Sequence, residues 1–221
     1  MKPISAFDVI GPNMIGPSSS HTAGALRIAQ LTRKLLKGEL ATVKFTLYGS
    51  FAHTYKGHGT DRALAGGILG FTADDSRIRD SLTLCEQRGI TVDFLTNTEQ
   101  TEVHPNTVDI DVITKGGEHL TVRGVSIGGG RAELRAIDGV AVELSGEYST
   151  IFIRYQDEPG VITHITGCLS EQNINIAFMR VYREGKGCNA YAIIEADEKI
   201  SESVVKDIKK NPAIQSSILI E

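Results

Sequence analysis

No block of lysines and arginines stands out in this chain, whose 221 residues carry a net charge of −4. That argues against nucleic acid as the main partner, because phosphate binding needs clustered positive charge. No apolar run reaches membrane-spanning length, so no membrane partner is expected. The start, Met1-Lys2-Pro3-Ile4-Ser5, has no apolar run of signal-peptide length, and the expected compartment is cytoplasmic. Cysteine is scarce. Cys85, Cys168 and Cys188 lie far apart, without the close pairs that gather thiolates around one iron centre. They are expected to be buried or partly buried free thiols, with no metal ligand in this chain. Solenoid-type repeats and low-complexity segments are absent too. What remains is an ordinary globular composition, 41% hydrophobic and 23% charged, in a chain long enough for two small domains.

The two halves differ in pattern. Ala25, Ile28, Leu31 and Leu35 recur at helical spacing, predicting a helix over about 20–37 with Ser18, Ser19 and Ser20 as candidate caps. Val43, Phe45 and Leu47 then alternate with polar residues as a half-buried strand. Helices are predicted over Thr60–Phe71 and along the stripe Ile78, Leu82, Cys85. Strands follow at Val92/Phe94, Val108/Ile110/Val112, Leu120/Val122 and Ala132/Leu134/Ala136, with Gly128-Gly129-Gly130 as the turn before the last. The first domain, 1–145, is therefore α+β, and a linker falls at about 143–148. From 149 to 221 the order is strand, helix, strand, strand, helix, strand, a ferredoxin-like βαββαβ domain.

Three constellations carry candidate chemistry. In Gly16-Pro17-Ser18-Ser19-Ser20-His21-Thr22, three hydroxyls precede a helix whose first turn offers free N–H groups and partial positive charge. This is a seat for a carboxylate or phosphate; the plainer reading is one capping serine, two solvated ones and a structural His21. In Tyr48-Gly49-Ser50-Phe51-Ala52-His53-Thr54-Tyr55-Lys56-Gly57-His58-Gly59-Thr60-Asp61, just past a strand end, Lys56 can pair with a carboxylate. His58 can hold a carboxylate too, or move a proton near neutral pH. Asp61 can cap the next helix or orient a histidine, and a glycine-rich turn capped by Thr60 or Asp61 is the plainer reading. In the second half, Glu158-Pro159-Gly160-Val161 joins strand to helix and Asn173-Ile174-Asn175 opens the next strand. These two places can be neighbours and offer N–H groups and an amide to an amino-acid ligand; turn chemistry alone also accounts for them. His53, His104, His119 and His164 lack such company and are expected to be structural or at the surface.

The paired early motifs resemble the beta subunit of iron–sulfur L-serine dehydratases, and the tail resembles an ACT domain. The resemblance covers nearly the whole chain. It implies a lyase converting L-serine to pyruvate and ammonia, with a [4Fe–4S] cluster held by a partner alpha subunit. There an open iron would act as a Lewis acid on the serine hydroxyl. This chain would supply the other wall: Ser18, Ser19, Ser20, Thr22, Lys56, Gly57 and Thr60 as substrate contacts, and His21 and His58 for proton handling or orientation. It would be silent alone. The tail would self-associate and take an amino acid at Glu158, Gly160, Val161, Asn173 and Asn175. The first domain also resembles the allosteric substrate-binding domain of some phosphoglycerate dehydrogenases. The alternative is thus a purely regulatory serine- or anion-binding subunit; a third class is a protein that only pairs through its tail.

Overall fold

The computed structural model of the chain describes residues 12–100, 102–146 and 148–220. The chain divides into two compact units between Ser145 and Gly146.

The first unit opens with a π-helical turn, Ser19–Gly24, running into α1, Ala25–Lys34. Then come β1 (Leu40–Tyr48), α2 (Gly49–Thr54), α3 (Thr60–Ile68), a 3₁₀ turn at Ser76–Asp80, α4 (Ser81–Gln87) and β2 (Thr91–Asn97). Strands β3 (Thr107–Thr114), β4 (His119–Gly128), β5 (Arg131–Ile137) and β6 (Val140–Leu144) complete a sheet of order β2-β1-β3-β4-β5-β6. The β1–β2 pair is parallel because a helical crossover joins them; the other pairs are antiparallel, and short connections join β3 to β4, β4 to β5 and β5 to β6. Alternation sets the faces. Val43, Phe45, Leu47, Val108, Ile110 and Val112 are buried on one side, in register such as Phe45 opposite Ile110. Lys44 and Thr46 share the other face with the ion pair of Asp109 and Arg123, whose Nε and Oδ1 lie 2.7 Å apart. The α1 helix approaches β4 so closely that a Cβ on Gly124 would stand 2.1 Å from Ile28 Cγ2. Glycine is required there by packing.

Several boundaries differ from the sequence reading. Helix α1 ends at Lys34 and α3 at Ile68, earlier than the apolar stripes extend, because Leu35 and Phe71 are buried from the turns beyond. The Ile78–Cys85 stripe breaks into the 3₁₀ turn and α4, with Asp75 capping the turn through Arg77 N–H. Residues 143 and 144, expected as linker, belong to β6, where Leu144 pairs with Leu134 and is fully buried. Cys188 is exposed, whereas Cys85 and Cys168 are buried. Burial pushes the Cys85 thiol up to about 11.

The second unit has the order β7 (Ser149–Gln156), α5 (Val161–Glu171), β8 (Ile176–Arg183), β9 (Asn189–Ala196), α6 (Glu202–Ile208), β10 (Ile214–Ile220). Its sheet, β10-β7-β9-β8, is antiparallel throughout, the ferredoxin-like arrangement. Ile151, Ile153 and Ile194 of the sheet pack with Ile165, Leu169, Val204 and Ile208 of the helices. Ser201 precedes α6 but does not cap it with its side chain; its hydroxyl meets Ser203 and Gln172. Among the described residues no helix is long and apolar enough to cross a membrane.

Candidate active site

Two distant stretches of sequence meet around His21. Ser18 is the N-cap of the π-helical turn, and its Oγ accepts from His21 N–H at 3.3 Å. On the His21 ring, Nδ1 lies 3.0 Å from Ser20 Oγ and 3.3 Å from Ser18 Oγ. The other ring nitrogen, Nε2, lies 3.0 Å from Ser50 Oγ. Two of the three serine hydroxyls therefore face the histidine rather than standing free, which corrects the plainer reading of solvated serines. All three serines are half-buried.

Helix α2 supplies the second wall. Gly49 enters it in the left-handed region, with φ of +50° and its Cα against Pro105, where an added Cβ would stand 2.7 Å from the Pro105 backbone. That entry delivers Ser50 to Nε2 and sets Phe51 edge-on to the His21 ring, 5.1 Å between centroids. The His58 ring also meets His21 edge-to-face, at 4.8 Å and 87°. Thr22 Oγ1 donates to the His58 carbonyl at 3.4 Å, tying the two motifs together. Thr22 is thus a buried tie between walls, with its hydroxyl engaged by protein.

Among the described residues, two polar atoms at this junction are buried without a hydrogen-bond partner: His58 Nδ1 and Thr60 Oγ1. Such atoms are costly unless something else fills the place. Thr60 does not cap α3, and neither does Asp61; left-handed Gly59 holds the N-cap position. Asp61 Oδ1 accepts from Arg62 N–H at 2.8 Å, so it does not orient His58, and burial raises its carboxyl above the usual range. Lys56 and Gly57 are exposed, with the Lys56 ammonium 5.8 Å from the Tyr55 ring centroid, so the structure does not bring Lys56 into the cluster. His21 titrates below the ordinary histidine value. Its burial is the main cause and nearby His58 the second, opposed by hydrogen bonding to the Ser50 backbone.

The residues expected to bind a ligand in the second unit are not brought together within one chain. Asp157 N–H donates to the Cys188 carbonyl, and Asp157 accepts from Gly187 N–H, so the Glu158–Val161 turn sits where β9 begins. Asn175 N–H donates to Glu198, and its amide to Asp197, so Asn173 and Asn175 sit where β9 ends. Helix α5 separates the two places by its 11 residues, about 16 Å. This corrects the expectation that they are neighbours. Asn173, with φ of +54°, and Asn175 line a groove of about 670 Å³ with Thr163, Thr166 and Ser170; Glu158, Gly160 and Val161 do not.

Over residues 5–136 the sequence matches the family described as serine dehydratase beta chain, and over 149–213 the ACT domain. It is 44% identical over 205 residues to "L-serine dehydratase, beta chain" of Peptoniphilus asaccharolyticus, covering 92% of each chain. The chain belongs to the serine dehydratase beta-chain family. A second full-length relative, "Probable L-serine dehydratase, beta chain" of Bacillus subtilis, is 42% identical over 97% of this chain and 96% of its own. A chloroplast D-3-phosphoglycerate dehydrogenase of Arabidopsis thaliana is 36% identical, over only 38% of this chain and 14% of its own. This member of the family thus joins an α+β first domain to a C-terminal ACT domain. Ser50 and Phe51 escaped the sequence reading although they sit in the stretch that held the second motif. The signal was the strand-ending Gly49 before them.

Proposed function

We propose that this family member works as the beta subunit of an L-serine dehydratase, supplying half of a site completed by an alpha subunit. The observation that carries this reading is the pair of orphaned buried atoms, His58 Nδ1 and Thr60 Oγ1, beside a serine-lined helix start. In this reading Ser18, Ser19 and Ser20 with the first-turn N–H groups seat the substrate carboxylate, and Thr60 adds a hydroxyl. His58 takes the Cα proton as the Cβ–oxygen bond of serine breaks; that proton passes to the departing hydroxide, which leaves as water, and the aminoacrylate left behind hydrolyses to pyruvate and ammonia. His21 orients: both of its ring nitrogens already have hydroxyl partners, and a ring kept neutral puts no positive charge beside His58. Lys56 and Gly57 lie at the exposed mouth, where the partner can bring substrate to them.

A [4Fe–4S] cluster does not fit this chain by itself. Cys85 and Cys168 are buried in different units, Cys188 is exposed, and among the described residues no three ligating side chains converge. In our reading the alpha subunit holds it, and no step above passes through it. The ACT domain self-associates and senses serine or another small amino acid between copies, since one chain separates the two halves of that site. The regulatory alternative, an anion-binding subunit without chemistry, leaves the orphaned His58 Nδ1 without a task.

Anaerobic serine-to-pyruvate turnover tests the reading, first on this chain alone and then with the cluster-bearing partner. Silence alone and turnover together is the expected result. Silence in both, with serine still bound by this chain, would leave the regulatory alternative.

A further inference from the structure

Ser50 is the residue of this cluster that no motif assigns. We propose that it is a positioning residue, whose hydroxyl accepts from His21 Nε2–H and so fixes the ring and its tautomer beside His58. The inference rests on the reading of His58 as the proton-handling group.

The geometry gives Ser50 this role in three ways. It is the hydroxyl at Nε2, at 3.0 Å, whereas Nδ1 has two, Ser20 and Ser18. Those two lie 3.3 Å from each other, and Ser18 Oγ already accepts from His21 N–H. A basic Nδ1 then lets Ser20 donate to the ring and Ser18 donate to Ser20, so neither proton is idle. Ser50 is itself held. Its carbonyl accepts from Thr54 Oγ1 at 2.7 Å within α2, and Phe51 N–H donates to the Pro105 carbonyl at 3.3 Å, which anchors the start of α2 to the chain before β3. The His21 ring is then clamped between the Ser50 hydroxyl, the Phe51 edge and the His58 ring. A histidine oriented by a third group is the general form of a preorganised proton-transfer site.

The test uses the full chain and its complex with the cluster-bearing subunit. Nitrogen-resolved imidazole NMR on the full chain reads the tautomer of His21, and steady-state kinetics on the complex reads kcat and KM. Wild type is expected to carry the proton on Nε2, and Ser50→Ala to shift His21 toward a mixture of tautomers. The same variant is expected to lower kcat about ten-fold with KM unchanged, part of the roughly 10²–10⁴-fold a positioned acid or base contributes. Ser50→Thr keeps the hydroxyl and should restore both. An Nδ1–H wild type, an unmoved His21 spectrum, or an unchanged kcat in Ser50→Ala would overturn the inference. A rise in KM alone would overturn it too, by making Ser50 a substrate contact. Full activity of His58→Ala would instead sink the underlying reading, so the two failures are distinguishable.

Discussion

The first unit gathers residues from three places in the sequence around one histidine, whereas the second holds the pieces of its expected ligand site at opposite ends of a sheet. Ser18–Thr22 lie just before α1, and Ser50–Phe51 and His58–Thr60 follow the end of β1; the reversal between α1 and β1 brings these stretches together. In the second unit the helix between the two motifs runs the full depth of the sheet, so Glu158 and Asn175 part company. The difference teaches what each unit needs from a partner. In the reading proposed above, another kind of chain completes the first unit's site and a copy of the same chain completes the second's.

Breaking the entry into α2 should damage one unit and spare the other. Gly49→Ala puts a Cβ against the Pro105 backbone at a left-handed position and is expected to cost about 1–3 kcal/mol. Denaturant unfolding should show that loss in the first unit, while amino-acid binding by the second is retained. A second experiment sharpens the claim about copies. Dimers of Glu158→Ala alone or Asn175→Ala alone should titrate flat with amino acid in a calorimeter. Mixed dimers of the two variants should recover one intact site, which a site inside a single chain could not do.

Smaller effects separate stability from function at Thr60. Thr60→Val removes a fully buried hydroxyl without a partner, so thermal stability should hold or rise by about 1 kcal/mol. KM should nevertheless rise roughly 2- to 10-fold, the worth of one hydrogen bond to substrate. An unchanged KM would remove Thr60 from the substrate seat. The smallest effect is in pH. Folded His21 titrates below its ordinary 6.5, so the unfolded chain takes up a proton there that the folded chain refuses. Stability should therefore fall as pH drops through about 6.5, and this slope should vanish in His21→Gln.

Much of this contrast was legible in the sequence. Alternation in Val43–Leu47 and Val108–Val112 marked the sheet, and the helix–strand order of the tail marked its fold. Both early motifs were visible because each packs unusual residues into a short run. The meeting of His21 with Ser50 was not visible, since 29 positions separate them and only the folding of α1 back onto β1 brings them together. Strand β6 was missed because Val140–Leu144 is short and pairs only with β5. Thr22 was expected as a substrate contact through the family resemblance; its hydrogen bond to the His58 carbonyl makes it a tie. The separation of Glu158 from Asn175 depended on the length of α5, which periodicity could count but not aim.

The central claim is that His58, with its orphaned Nδ1, handles the substrate proton. The most direct measurement is L-serine turnover by the assembled enzyme carrying His58→Ala, with the complex verified by size-exclusion chromatography. The account predicts a loss of roughly 10²–10⁴-fold in kcat with assembly intact. Turnover at the wild-type rate would contradict it.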